Sequence, residues 1–504
     1  MYVLRATSRN GSLLTRREVG LVDDMLPDDI LLAVFDFCSD IWQTLIHVCR
    51  RWRSLVFGSP RRLDLQLFCS AETPARDTLD IWPPLPLVVR DHYARPGRVD
   101  NIVAVLERRD RVRQIDFSDN SKSDSEIVLA AMHKPFPELT DLRLLSYGET
   151  LPTLPDSFLG GSVPRLRHLL FSHIPFPGLL KLLLSAIHLV DLCVWDIPHS
   201  GYFSPETMAT TLSTMASLSM LLLGFESPRS CPDLAGRRLP PPIRFALPVL
   251  TNFRFKGVYE YLEDLVSHID APRLVNLTIT LFNDIVFDSP QLMQFITRTP
   301  MPNFFKTAIV HFEGGAANIE FSARRFGIRL NINILCKDLD WQVSSLGQVC
   351  ALCLPSFSVL EDLHISEQRR RQRHWQDNVE NTQWLELLHP FAAVKHLFLS
   401  EEIARRIVPA LQELVGGRAT EVLPTLQNIF LERLEPSGPV QEGIGHFVAT
   451  RQEVTSHLIA VSRWDRTLSE RTPSFTEGTT PSLRDRRNVK IPRARQLMKI
   501  LRLH

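Results

Sequence analysis

Cys350 and Cys353 stand three residues apart, the spacing at which two thiolates can share a zinc ion or cycle as a dithiol. A structural zinc needs two further ligands close by, and no second pair follows. The eight cysteines are otherwise scattered among apolar neighbours, as at Cys38, Cys49, Cys69 and Cys193, and read as reduced core thiols of an intracellular protein. The sixteen histidines are dispersed, and His389, His396 and His457 read as structural or exposed. The chain contains no HExxH, no GxSxG, no GxGxxG and no phosphate loop of the GxxxxGK type. Acidic pairs at Asp28-Asp29 and Glu401-Glu402 fall where helices are expected to start, and the helix dipole accounts for them there. The sequence therefore predicts no catalytic residue, no metal site and no cofactor. The chemistry left to it is recognition.

Composition narrows the partners. Over 504 residues the formal net charge is +1, with 44 % hydrophobic and 22 % charged residues, an ordinary soluble profile that favours neither nucleic acid nor acidic lipid. Apolar runs such as Leu179–Leu184 are too short to span a bilayer, so no membrane segment is expected. Glu367–His374 (EQRRRQRH) is a basic run that reads as a solvated loop, with a peptide or phosphate contact as the alternative. From about Thr467 the chain is rich in Pro, Ser and Thr and then basic, which predicts a disordered tail over 467–504. Residues 1–21 read as a disordered leader, and the location expected is intracellular, cytoplasmic or nuclear.

One stretch carries dense recognition chemistry: LPDDILLAVFDFCSDIWQTLIHVCRRWRSLV, residues 26–56. Leu26 precedes a Pro at a helix start. Ile30, Leu31, Val34, Phe35 and Cys38 then form a broad apolar stripe at helical spacing. Asp40 can cap a second helix carrying Leu45, Ile46, Val48 and Cys49, and a third would carry Trp52, Leu55 and Val56. Three helices this small cannot bury that surface among themselves, so they require a partner groove or the rest of the chain. The combination LPxxIL, Phe35 and VCRRW resembles the F-box, the helical motif that docks its host onto the adaptor of a cullin-type ubiquitin ligase. The resemblance implies a Skp-type adaptor as partner, contacted through Leu26, Pro27, Ile30, Leu31, Phe35, Leu45, Val48 and Trp52. It covers residues 22–62 as a domain, and Ile41-Trp42 departs from the usual Asp-Leu of the family.

The elements that would present a target lie further along. Five segments follow Pro-x-Leu-x-x-Φ-x-Φ with Φ apolar, starting at Pro137, Pro164, Pro248, Pro272 and Pro424. Five more keep the apolar frame without the Pro, starting at Val112, Leu189, Leu218, Leu360 and Val394. Most neighbouring spacings fall between 23 and 34 residues. Each Φ-x-Φ is read as a short strand whose alternate residues point inward, and the intervening stretch as a returning helix, as at Leu179–Leu184 and Met208–Met215. Between Leu277 and Leu363 the frame fails, and Ala308–Phe312, Gly314-Gly315, Ile319–Phe321 and Ile328–Ile334 read as irregular strands or a hairpin.

This frame resembles irregular leucine-rich repeats, and the two halves together resemble the F-box/leucine-rich-repeat proteins numerous in mushroom-forming fungi. The fold class expected is α/β: a three-helix F-box, then a solenoid of short parallel strands with outer helices. Its parts would be a linker over 63–110, the repeats over 111–435 and a helical cap over 436–466. A doubly wound α/β enzyme is the structural rival. In such a repeat the residue between the two inward positions faces the concave side. That places Arg143, Leu170, Leu222, Arg254, His364, Phe398 and Phe430 on a target-binding face, with Cys193 and Thr278 among them. The function implied is a substrate-recognition subunit of an SCF ubiquitin ligase that brings an unknown protein target to a cullin. The alternatives are a non-degradative repeat scaffold with a vestigial F-box, and a hydrolase or transferase with an unrecognised site.

Overall fold

The computed structural model describes residues 26–37, 42–60, 63, 65–80, 83–92, 99–119, 122–146, 153–230, 244–282, 290–323, 327–353, 360–367, 379–414, 416–432, 438–455 and 458–464. Two units separate, a smaller one containing the helices at 26–60 and a larger one containing the strands from Val88 onward. The expected leader, the tail, Asp40 and most of the basic run 367–374 lie outside the described residues.

In the smaller unit three helices follow one another: α1 (Asp28–Asp36), α2 (Trp42–Leu45) and α3 (Arg50–Gly58). Pro27 is the N-cap of α1, and its carbonyl accepts from the amides of Ile30 and Leu31 at 3.1 Å. The motif is self-consistent inside the unit. Arg51 on α3 reaches the Asp28 carboxylate and the Leu26 carbonyl, both at 2.6 Å. Phe35 is fully buried and packs against Trp52 with ring centroids 4.8 Å apart. The Cys49 thiol caps α3 by accepting from the Trp52 amide at 3.4 Å.

The larger unit is α/β, with one long, mainly parallel sheet. Its strands are β1 (Leu87–His92), β2 (Val112–Asp119), β3 (Asp141–Ser146), β4 (His168–Ser172), β5 (Asp191–Ile197), β6 (Met220–Phe225), β7 (Asn252–Gly257), β8 (Asn276–Phe282), β9 (Thr307–Glu313), β10 (Ala316–Ser322), β11 (Arg329–Leu335), β12 (Asp362–Glu367), β13 (His396–Leu399), β14 (Asn428–Leu431) and β15 (Ala460–Arg463). Every segment of the repeat frame is a strand. The middle apolar residue lies at the same register in each, running Ile115, Leu142, Leu169, Leu192, Leu221, Phe253 and Leu277 through parallel pairs. All of these are at most 1 % exposed.

The Pro-x-Leu signature has a local cause. The leucine amide closes a turn onto the residue before the proline: Leu139 to Phe136, Leu166 to Val163, Leu250 to Leu247 and Leu426 to Leu423. Proline presets the backbone at the second position of such a turn, and the leucine is driven into the core. Where the proline is missing the same bond forms, as in Leu189 to Ala186 and Leu218 to Met215. The residue ahead of each strand then donates to its counterpart in the preceding repeat. Thr140 bonds Arg113, Arg167 bonds Thr140, Val190 bonds Arg167 and Ser219 bonds Val190, each at 2.8 Å. A backbone relay thus seats each of these repeats on its neighbour, whatever the length of chain between them.

Helices return between strands: α4 (Val99–Leu106), α5 (Lys122–Ala131), α6 (Leu179–Leu183), α7 (Pro205–Leu212), α8 (Tyr259–Ser267), α9 (Pro290–Arg298), α10 (Leu339–Cys353), α11 (Asn381–Leu388), α12 (Glu401–Gln412) and α13 (Pro439–Thr455). Successive helices pack side by side through α7–α8–α9 and α10–α11–α12–α13. Ser204 shows why α7 starts where it does: its hydroxyl caps the Thr207 amide at 3.2 Å, and Pro205 occupies the first turn.

Where the frame fails, the chain inserts an antiparallel element. The sheet order there is β8-β11-β10-β9-β12. β9 and β10 form a hairpin about Gly314-Gly315, β10 pairs antiparallel with β11, and β11 and β9 join the parallel array by pairing with β8 and β12. The stretch expected as linker holds β1 and α4. The expected C-terminal cap is helical only over α13, after which β15 adds a last parallel strand to β14.

Candidate binding face

Alternation on the strands divides the sheet into a core face and an open face. β3 alternates strictly, with Leu142, Leu144 and Ser146 buried and Arg143 exposed between them. Cross-strand register turns these alternate positions into a row. Arg143 lies beside Leu170, Leu170 beside Cys193, Cys193 beside Leu222, Leu222 beside Arg254, and Arg254 beside Thr278. On the far side of the inserted hairpin the same row continues through Ile309, His364, Phe398 and Phe430. All seven residues expected on a target-binding face are thus placed on this one face. Arg143 and Arg254 are exposed, and Leu170, Leu222, His364, Phe398 and Phe430 are half-buried.

The row has two chemically distinct ends. At the C-terminal end three rings stand in a stack: His364 on Phe398 at 4.0 Å and 2°, and Phe398 on Phe430 at 4.4 Å and 8°. Neighbouring parallel strands place equivalent side chains about 4.8 Å apart, close to the spacing at which flat rings stack. Trp464, just past β15, packs edgewise on His364 and Phe398, with centroids 5.6 Å away in each case. Polar residues beside the stack are buried, including Asp362, Ser366 and Ser400. Ser366 bonds His311 at 2.6 Å, and Ser400 donates to Glu367.

At the N-terminal end the row is apolar between two guanidiniums. Cys193 lies midway, and burial pushes its thiol up to about 12, with the Asp191 carboxylate adding to the effect against Arg143 and Arg254. A thiol held neutral in this way is a small apolar contact and no nucleophile. Below the row a polar line ties the strand starts together. His168 bonds Asp191 at 2.9 Å, Ser219 reaches the other Asp191 oxygen at 3.2 Å, and Asn252 and Asn276 are joined at 2.8 Å.

Above the row sits a cluster without a signal in the repeat frame. β5 bulges after Val194, and Asp196 takes a left-handed backbone at φ 51°, as does His173 at the end of β4 at φ 58°. The bulge aims Asp196 at Lys256, 2.8 Å away, and the ammonium lies 5.5 Å from the centre of the Trp195 ring. Trp195 lies flat against Gly224, where a Cβ would meet the ring at 2.6 Å.

The residues expected to meet an adaptor fall into three groups. Leu31, Phe35 and Leu45 are buried in the smaller unit, Leu26 and Trp52 are half-buried, and Pro27, Ile30 and Val48 are exposed. Ile30 is 49 % exposed and Val48 50 %. Phe37 is 82 % exposed and was not singled out by the apolar stripe, because it falls two residues past Phe35, off the buried face of α1. Of the cysteine pair, Cys350 is buried on α10, and the Cys353 side chain lies outside the described residues. Among the described residues no group of three or more His, Cys, Asp or Glu is placed to hold a metal, and no helix is long and apolar enough to cross a membrane.

No family model matches the chain, and no curated protein matches it. Among solved structures it is similar to a leucine-rich repeat-containing protein from Legionella pneumophila at 11 % identity. That match covers 70 % of this chain and 96 % of the other, with a TM-score of 0.26.

Proposed function

We propose that the chain is the substrate-recognition subunit of a cullin-type ubiquitin ligase, with the helices α1–α3 docking to a Skp-type adaptor and the open face of the sheet holding a protein target. The observation that carries the binding half is the row from Arg143 to Phe430. Large apolar and charged side chains stand there at fixed register outside the core, where folding alone does not require them. Support for the docking half is the LPDDIL and VCRRW pattern, together with Pro27, Ile30, Phe37 and Val48 left at the surface of so small a unit. The chain would contribute proximity, and the chemistry of transfer would belong to other subunits.

The test is affinity purification of the wild-type chain and the Ile30→Lys variant with quantitative mass spectrometry. Adaptor and cullin are expected with the wild type and neither with the variant, while targets of the sheet face follow both. Recovery of the adaptor with Ile30→Lys at wild-type level would remove the docking assignment. A wild-type chain that brings down targets but no adaptor would favour the non-degradative scaffold.

A further inference from the structure

The two guanidiniums of the row differ from the paired cations on neighbouring strands. Lys256 is paired with Asp196, Arg329 with Glu320 and Lys395 with Glu361. Arg143 and Arg254 are exposed, and among the described residues their side chains form no ion pair or hydrogen bond. Between them lie only Leu170, Cys193 and Leu222, all half-buried. The acids nearest the row already have partners: Asp116, beside Arg143 on β2, is buried and engaged, Asp141 accepts from the Thr140 hydroxyl at 2.7 Å, Asp191 is held by His168 and Ser219, and Asp196 by Lys256.

Four strand steps separate Arg143 from Arg254, which is about 19 Å at the usual strand spacing. An extended peptide rises about 3.3 Å per residue, so two of its residues about six positions apart span the same distance. Alternate side chains of that peptide face the sheet, and the ones between its ends would rest on Leu170, Cys193 and Leu222.

From this we infer that the target segment is an extended peptide lying across β3 to β7, with an anionic group at each end for Arg143 and Arg254 and apolar residues between. This rests on the reading of the open face as the target-binding surface. The shared chemistry is a planar or tetrahedral oxyanion that accepts a forked pair of hydrogen bonds, which a carboxylate and a phosphate both offer.

The experiment is selection of a random display library of short linear peptides on the immobilised full-length chain, with parallel selection on the Arg143→Gln/Arg254→Gln chain. Expected from the wild type is enrichment of acidic residues about six positions apart with apolar residues between, absent from the variant. Synthetic versions with Glu, phosphoserine or Gln at both ends then separate the sources. Glu peptides that bind and lose about tenfold with either single Arg→Gln change identify carboxylates. Binding confined to the phosphoserine peptides identifies phosphate. No enrichment, or enrichment that ignores the two arginines, overturns the inference. Co-purified targets of the wild-type chain, Arg143→Gln/Arg254→Gln and Leu222→Asp, measured alongside, keep the two readings apart. Targets retained by the arginine double variant but lost with Leu222→Asp leave the face standing and remove only the acidic peptide.

Discussion

Arg451 on α13 is 2 % exposed and has no acidic partner in the contacts it makes. Its guanidinium donates to the carbonyls of Val422, at 3.1 Å, and Leu423, and it lies 5.7 Å from the Phe447 ring centre. Those carbonyls belong to the turn that feeds β14, where Leu423 takes φ 51°. Burial lowers the pKa of the arginine, so the ionised form carries a desolvation cost that the two hydrogen bonds offset. Replacement by Met roughly keeps the volume and removes the desolvation cost, but it strands the Val422 carbonyl and leaves the Leu423 carbonyl with the Leu426 amide alone. An unsatisfied buried group costs about 1–3 kcal/mol, and with one acceptor stranded the net loss is about 1–3 kcal/mol. Lys keeps the charge but cannot fork across both carbonyls, and a smaller loss of about 1 kcal/mol is expected. In a repeat array the effect is local, because each repeat is held by its neighbours alone. Hydrogen exchange of Arg451→Met should therefore show lost protection in α13, β14 and β15, with β3 to β7 unchanged. Protection in α13 equal to wild type, or a uniform loss along the whole sheet, would refute the reasoning.

Three further outcomes follow from contacts described above. Gly224→Ala drives a methyl into Trp195, so the ring must leave Lys256; a loss of about 1–3 kcal/mol in denaturant unfolding is expected, with changed tryptophan emission. Burial raises the Cys69 and Cys193 thiols from 9.0 to about 11 and about 12. The unfolded chain thus gives up these protons first, and stability is complete below pH 9 and falls as pH rises from there toward those values; a Cys193→Ala chain should show a shallower alkaline decline. Arg51→Met removes the tie to Asp28 and the Leu26 carbonyl, and protection of the α1 amides should drop while the sheet of the larger unit keeps its own.

The strands were legible because the core demands them. An inward Φ-x-Φ pair at every repeat leaves few other ways to bury Leu142 and Leu144 or Phe253 and Phe255, and the residue between is then forced onto the opposite face. Arg143 and Arg254 could be placed on one face for that reason alone. Strand order across the insertion was not legible, since Ala308–Phe312 and Ile328–Ile334 announce strands but nothing local says that β11 joins β8 ahead of β9. β15 escaped because all four of its residues are exposed, so it carries no buried period to read. Its consequence, Trp464 set against the His364–Phe398 stack, escaped with it. The Asp196–Lys256 pair spans 60 residues and depends on a bulge, which periodicity does not encode.

The inserted hairpin also divides the backbone relay. Up to β8 each link runs to the preceding repeat in sequence; there Val275 passes the bond to Arg329, and the next series starts afresh from Lys306, whose carbonyl accepts from Glu361 and Asp362. The sheet is therefore two runs of repeats spliced by an antiparallel joint. Each run can gain or lose a repeat without disturbing the register of the other, because the joint fixes only the strands on either side of it. The arginine-bracketed row lies wholly in the first run and the aromatic stack wholly in the second. Duplication or deletion of a repeat would thus change the length of one row of outward side chains while leaving the other as it was.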